Sequence, residues 1–401
     1  MASQFDIAIV GGGLVGSSVA IALGSSNYKI ALIDSQPLEE IKFNANQHDG
    51  RSIALALSSK KMFSALGLWH SLQEHATAIK KIHISDQGRF GATRLDSKRY
   101  EVESFGYLVP AEHLIGTLNV QVDALPNVTR LQPYQVSNIE NHHDHVILKP
   151  DNGEAIHASL LIAADGANSF IRNTLAIEVE EKQYQQMAIV GSVECDNPHH
   201  NTAYERFTNE GPLALLPRQG NHCGFIWMNP TECAKSNMQL SESEFTEKLQ
   251  QAFGFRLGHL KTIGKRFSYP LALLMSKQRV QQRVVLIGNA AQTLHPIAGQ
   301  GLNLALRDIA ELVELIKENK LQHIDACLNS YQDRRQPDIE NTIRFTDRLH
   351  FLFNADYPVL AQTRGLGLAM LGAIPVLEER IVKQNLGEAG SNASLLQGQV
   401  L

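Results

Sequence analysis

Ile7-Ala-Ile-Val-Gly-Gly-Gly-Leu-Val-Gly16 decides how this chain is read. Four apolar residues, Ile7–Val10, predict a buried parallel strand. Gly11, Gly13 and Gly16 then form G-x-G-x-x-G at the entrance to an apolar helix over Leu14–Leu23. The first two glycines allow a tight turn and the approach of a pyrophosphate to bare backbone. The third lets the helix pack against the strand, and the phosphates meet the positive end of the helix dipole. A second strand, Ile30–Ile33, ends in Asp34, an acid at the spacing expected for ribose hydroxyls. Strand, glycines, helix, strand and acid in this order predict a dinucleotide-binding fold.

The rest of the composition narrows the class. At 401 residues the chain is long enough for two domains, and 43% hydrophobic residues supply a substantial core. The net charge of −5 argues against a nucleic-acid-binding protein, which needs a basic face. Residues 1–6 carry no basic region or apolar core of a signal peptide, so a cytoplasmic location is expected. Cys195, Cys223, Cys233 and Cys327 lack metal-ligand spacing and are read as reduced thiols. His142, His143, His145 and His199, His200 lie in polar stretches and are read as solvated turns; no metal site is expected.

Further along, Gly50–Leu57 is read as entering a helix that runs to about Leu66. Residues 80–108 alternate as hairpin strands, 112–125 are helical, and 128–162 are strands with a turn at Asp151-Asn152-Gly153. Met187–Val193, Thr202–Phe207, Leu213–Leu216 and Cys223–Trp227 read as antiparallel sheet. Val284–Ile287 returns to a buried strand. Leu302, Ala305, Leu306, Ile309, Leu312, Val313 and Ile316 mark the buried face of a long helix.

Two more segments join the first. Leu161-Ile-Ala-Ala-Asp-Gly-Ala-Asn-Ser-Phe-Ile-Arg172 is an apolar strand ending in Asp165-Gly166. In Val285–Asp308, Gly288 ends a strand while Gly299 and Gly301 open the long helix. Together the three segments resemble the FAD-dependent aromatic hydroxylases, whose pattern is G-x-G-x-x-G, then Asp-Gly, then Gly-Asp followed by Pro-x-x-Gly-x-Gly. The segments Asp49–Ala56, Glu205–Pro217, Tyr269–Leu273 and Gly288–Pro296 are similar to the ubiquinone-biosynthesis branch of that family, and within it to the hydroxylases of 2-polyprenyl-6-methoxyphenol. The wider family usually has Asp and His where this chain has Asn289 and Gln292, a departure those hydroxylases share.

The resemblance implies an α/β fold: a discontinuous Rossmann-type FAD-binding domain (1–80, 109–182 and 270–345), a smaller antiparallel-sheet substrate domain (81–108 and 183–269), and a helical C-terminal tail (346–401). It implies FAD as cofactor, NAD(P)H as co-substrate, and a prenylated phenol and O2 as substrates, with oxygen transferred through a flavin hydroperoxide. Gly11, Gly13 and Gly16 would hold the pyrophosphate, Asp34 the adenosine ribose, and Arg51 the pyrophosphate or flavin. Asp165 would approach the nicotinamide or flavin side, and Gly288 and Asn289 the ribityl chain. The turn Gly299-Gln300-Gly301 would aim the amides of Gly301, Leu302 and Asn303 at the flavin pyrimidine, where negative charge develops. Pro296 would shape the wall beside the reactive edge; His295 reads either as a proton relay or as a packed, hydrogen-bonded histidine. Gly365–Leu377 is apolar but too short to span a bilayer, which takes about 20 residues. It reads either as a tail packed on the body or as a surface contact with the inner face of the plasma membrane or with other ubiquinone-synthesis proteins. Hydroxylation of another ring position or another aromatic substrate, and a non-catalytic flavoprotein scaffold subunit of the ubiquinone-synthesis assembly, stay open as alternatives at this level.

Overall fold

The computed structural model describes residues 3–38, 52–89, 91–294, 299–319, 321–354, 382–383, 386–387 and 390–400. The chain builds three sheets. In the first, Val284–Leu286, Ile156–Ala163, Ser3–Val10, Ile30–Ile33 and Val128–Leu131 lie side by side in that order, all parallel. Val280–Gln281 closes one edge antiparallel, and the hairpin Val136–Asn141 with Val146–Pro150 pairs onto Ile156–Ala163.

Alternation of side chains fills both faces of this sheet, as a parallel sheet requires. Ile7, Ile9, Ile30, Leu32, Leu160 and Ile162 face one core, with Val19, Leu114, Leu118, Leu306, Ile309 and Val313 from the helices Leu14–Ala22, Ala111–Asp123 and Gln300–Asn319. Ala8, Val10, Ala31, Ile33, Leu161 and Ala163 face the other, against Val136, Ile139, Val146 and Leu148 of the hairpin. The strand Ile30–Ile33 and the helix beginning at Leu14 fall where the sequence placed them.

The second sheet has eight strands, in the order Gln292–Thr293, Leu260–Ser276, Val179–Cys195, His222–Pro230, Gly211–Pro217, Thr202–Thr208, Lys81–Asp86 and Ala92–Asp96. All pair antiparallel except Thr202–Thr208 with Lys81–Asp86. Helix Glu242–Phe253 packs Phe245, Leu249 and Phe253, and helix Thr231–Gln239 packs Ala234, into the cluster around Trp227 and Phe225 on one face.

The third sheet corrects two sequence readings. Ser52–Ala56, read as the approach to a helix, is a strand; the helix begins at Leu57. Gly106–Pro110, read with the hairpins of 80–108, pairs instead with Ser52–Ala56 and Thr77–Ile79. Gly106 is required there because a Cβ would stand 2.3 Å from the Leu55 carbonyl oxygen. His199 is a further correction. It is buried, with Nε2 donating to the Arg218 carbonyl at 2.7 Å and Nδ1 accepting from the Asn201 amide at 3.0 Å, so its polar neighbours enclose it rather than expose it to solvent.

Helix Ile324–Asn354 runs through the region where a separate tail was expected to begin. Residues 390–400 return to the body: Ala393, Leu395 and Leu396 join the helical core, and Ser391 and Ser394 hydroxyls donate to Glu311 and Glu314 at 2.7 Å. Val382 and Leu386 pack with Leu57, Leu95 and Phe105. The segment Gly365–Leu377 lies outside the described residues.

Candidate flavin and substrate crevice

The strands ending at Val10, Ile33, Ala163 and Leu286 are parallel, so their following loops emerge at one edge. The chain reverses order between Ser3–Val10 and Ile156–Ala163, and a ligand crevice opens at such a switch point. Packing at this edge is close. Gly11 has φ +108°, and a Cβ on it would lie 2.3 Å from the Ala164 carbonyl oxygen; one on Gly16 would lie 1.8 Å from that of Gly11. Gly288, at φ +57°, sits between Val15 of the first helix and Ala305 of the long one, with Val15 methyls 3.0 and 3.1 Å from a built Cβ. These three glycines therefore serve the packing of the loops.

Gly13 and Gly301 differ: a Cβ on either would meet no heavy atom within 4 Å. Each stands at the start of a helix, where first-turn amides have no intrahelical acceptor. Gly13, Asn289, Gly299, Gly301, Leu302 and Asn303 all line one cavity of about 680 Å³. Two bare helix starts opening on a single cavity suit the phosphates and the electron-rich ring of a flavin nucleotide, so the residues present fit FAD.

Asp34 is held at the same edge. Its Oδ2 accepts from the Gly12 amide at 2.6 Å and its Oδ1 from Gln36 at 2.9 Å. Asp165 accepts the Ile171 amide at 3.1 Å through Oδ2, while its Oδ1 is buried with no hydrogen bond from the described residues. Arg172 ties this loop to the next one: Nη1 donates to Ala290 O at 3.0 Å and Nη2 to Ala167 O at 2.8 Å. Arg51, His295 and Pro296 lie outside the described residues.

The Asn303 side chain is fully engaged. Its Oδ1 accepts from the Ala56 amide and the Ser59 hydroxyl, both at 2.8 Å, and its Nδ2 donates to Ala54 O at 2.9 Å and Gly299 O at 2.7 Å. It fixes the strand Ser52–Ala56 against the start of the long helix, leaving only backbone for a ligand.

Gln292 is turned away from the cavity into a buried ionic network. Its Nε2 donates to Asp308 Oδ2 at 2.7 Å, and Arg279 donates to its Oε1. Arg335 Nε meets Asp308 Oδ1 at 2.7 Å, and Arg307 and Arg335 both pair with Asp338. An amide at 292 can serve an arginine and an aspartate at once, being acceptor on one side and donor on the other.

The far wall of the cavity belongs to the second sheet. Strand register sets Ile82, Ile84, Ala203, Phe207, Pro212, Ala214, Leu216, Ile226 and Met228 on the face toward the glycine loops. In the middle row, opposite Ile84 and Ala214, stands Glu205. The family resemblance assigns no role to Glu205. Its signal was present: an acid between Ala203 and Phe207, on the apolar face of an alternating strand.

A parallel sheet with a bare-backbone crevice at its switch point, facing an apolar antiparallel wall, is the architecture of a flavin-dependent oxidoreductase. The chain matches the family described as FAD binding domain over residues 4–346. It is 32% identical to the ubiquinone hydroxylase UbiL of Rhodospirillum rubrum, over 95% of this chain and 89% of that one. It is 30% identical to the 3-demethoxyubiquinol 3-hydroxylase of Escherichia coli, over 95% and 98%. Among solved structures, p-nitrophenol 4-monooxygenase PnpA from Pseudomonas putida superposes with a TM-score of 0.77 over 97% of this chain and 100% of that one, at 17% identity, which establishes the shared fold. The chain belongs to the FAD-dependent aromatic hydroxylases, in their ubiquinone-biosynthesis branch, and is an FAD-dependent monooxygenase.

The two kinds of glycine predict opposite failures. Gly16→Ala should fail to yield soluble, folded protein. Gly13→Ala should fold with a melting temperature close to that of the parent but retain at least about tenfold less FAD, a difference of about 1.4 kcal/mol in binding. Circular dichroism melting and the flavin-to-protein absorbance ratio after purification check both.

Proposed function

We propose that the enzyme hydroxylates 2-polyprenyl-6-methoxyphenol to 2-polyprenyl-6-methoxy-1,4-benzoquinol in ubiquinone biosynthesis, using NAD(P)H and O2. The observation that carries this reading is the wall built by Ile82, Ile84, Phe207, Leu216, Ile226 and Met228 across the cavity from Asn289 and Gly301. An apolar, electron-rich ring with a prenyl tail matches such a wall, and a charged or sugar-like substrate does not. Asn289 and Gln292 support the particular ring position by resemblance.

Bound FAD supplies the redox chemistry, accepting hydride from the nicotinamide and activating O2. The chain's contribution is binding and environment. The first-turn amides of Gly301, Leu302 and Asn303 favour negative charge beside the helix start. The apolar wall keeps water from the reacting atoms. A second reading, hydroxylation at another ring carbon, is favoured by the 30% identity with the 3-demethoxyubiquinol 3-hydroxylase.

The phenol predicts a gated reduction. Mixed anaerobically with NADPH, the flavin should bleach at least about tenfold faster when a short-tailed 2-alkyl-6-methoxyphenol is present. No bleaching under either condition would contradict catalysis through NADPH. Bleaching indifferent to this phenol but faster with a demethoxyubiquinol analogue would favour the second reading.

We also infer peripheral contact with the inner face of the plasma membrane, because the substrate's prenyl tail resides in a bilayer and Gly365–Leu377 is apolar. Among the described residues, no helix is long and apolar enough to cross a membrane. Truncation is a poor test, since it would strip Leu395 and Leu396 from the core. The double substitution Leu368→Glu and Leu371→Glu should instead abolish co-sedimentation with anionic phospholipid vesicles at an unchanged melting temperature; unaltered binding would rule this segment out.

A further inference from the structure

Glu205 has no part in holding the fold together. It lies near the middle of the strand Thr202–Thr208, paired with Ala214 on one side and Ile84 on the other, and all three line the cavity. Its half-buried carboxylate makes no hydrogen bond or ion pair with any described residue, in a protein where fully buried acids are tied down: Asp308 by Arg335 and Gln292, Asp338 by Arg307 and Arg335. A half-buried carboxylate without a partner, set in an apolar wall, costs desolvation energy that nothing in the fold repays, and an aliphatic residue would fit the wall better. Such a group, facing a substrate cavity, is a candidate for function.

The other ionisable groups near it point elsewhere. Tyr204 also borders the cavity, but its ring packs edge-on against Phe253, 5.6 Å between centroids, on the opposite face of the sheet. Arg206 turns to that same opposite face, donating to Ala252 O at 3.0 Å. On the neighbouring strand, His83 also faces away, beside Tyr204 and Arg256, and Asp86 is paired with Arg89 at 3.0 Å. The strand Gly211–Pro217 carries no ionisable side chain. Across the cavity, Ser52–Ala56 and the helix start Gln300–Asn303 present only neutral groups. Among the described side chains of helix Ile324–Asn354, Phe345 lines the cavity.

We propose that Glu205 is the catalytic base of the hydroxylation: its carboxylate takes the proton of the substrate's phenol hydroxyl. This rests on the phenol reading given above. The phenol O–H bond breaks, a carboxyl O–H bond forms, and the electron pair stays on the phenol oxygen. The ring carbon para to that oxygen becomes more nucleophilic toward the oxygen atom that O2 and the reduced nicotinamide together supply. The carboxyl later releases its proton to solvent.

The protonation behaviour is consistent with that role. Burial alone pushes the Glu205 carboxyl up to about 7, into the range where a base works at neutral pH. Burial and the neighbouring arginines hold His83 down to about 4, so it is neutral throughout that range. A base must be ionised, so kcat/KM should fall as pH drops through about 7. For folding, the raised carboxyl keeps its proton longer in the folded chain than in the unfolded one. Its contribution is therefore most favourable below about pH 4.3, declines as pH rises to about 7, and is constant above.

The test compares FAD-loaded parent, Glu205→Gln and Glu205→Asp. With NADPH, O2 and the short-tailed 2-alkyl-6-methoxyphenol, Glu205→Gln should lose roughly 10²–10⁴-fold in kcat with little change in KM. It should also lose the rise of kcat/KM near pH 7, and Glu205→Asp should recover part of the rate. Melting at alkaline pH should show Glu205→Gln at least as stable as the parent. A measurement without turnover uses 2-methoxy-4-nitrophenol, whose reacting position is blocked. At alkaline pH, where this probe is an anion, its binding to the parent should draw about one proton from solvent onto Glu205, and binding to Glu205→Gln none. Calorimetry in buffers of different ionisation enthalpy reads the proton uptake. Equal rates, pH profiles and proton uptake in parent and Glu205→Gln would overturn the proposal while leaving the hydroxylase reading intact. A parent that does not oxygenate the methoxyphenol would sink that reading, and the proton uptake would still decide whether Glu205 answers to a phenolate.

Discussion

The close approach of backbone at the C-terminal edge of the parallel sheet is the constraint on which the rest of the molecule depends. Gly16 lies against the carbonyl of Gly11, and Gly11 against that of Ala164. A single methyl group at either place would push apart the first helix, the first strand and the Asp165 loop. Because these contacts hold, the turn between the first strand and the first helix and the Asp165 loop, well over a hundred residues apart in sequence, end at one crevice. Gly288 then brings the long helix to the same point, between Val15 and Ala305. The bare backbone at Gly13 and Gly301 follows from this packing and makes the edge a place for a flavin nucleotide.

Behind the crevice, the long helix is locked to helix Ile324–Asn354 by buried charge rather than by apolar contact alone. Arg279, Arg307 and Arg335 share Asp308 and Asp338, with Gln292 between Arg279 and Asp308. Replacing such a cluster with apolar residues is often neutral or stabilising, whereas removing one member costs about 3–5 kcal/mol. Its value here lies in geometry. It fixes Gln292 on the short strand Gln292–Thr293 that follows the Gly288 turn, and so helps Asn289 keep its place on the cavity wall.

Much of the parallel sheet was legible in the sequence because its signals are local. An apolar run, glycines at fixed spacing and an acid after the second strand are all contained in residues 7–34. The antiparallel strands announced themselves by alternation and turns. What escaped depends on partners far away in the chain. Ser-Ile-Ala-Leu-Ala at 52–56 looks like the start of a helix, and becomes a strand because Asn303, 247 residues from Ala56, holds its backbone and because Gly106–Pro110 lies alongside. The capping box at Ser241 and Glu244 is a local signal for helix Glu242–Phe253, carried by only two residues in a polar stretch. Glu205 was visible as a charge on an apolar face, but nothing local says which face of that strand a substrate meets.

In the proposed reaction flavin and phenol meet in one cavity and an oxygen atom from O2 passes to the ring. Turnover of the short-tailed 2-alkyl-6-methoxyphenol under isotopically labelled dioxygen, with the product analysed by mass spectrometry and by the position of the new hydroxyl, tests this most directly. One labelled oxygen on the carbon para to the phenol hydroxyl is the predicted result. Label taken from water, or flavin oxidised by O2 with the phenol recovered unchanged, would contradict it.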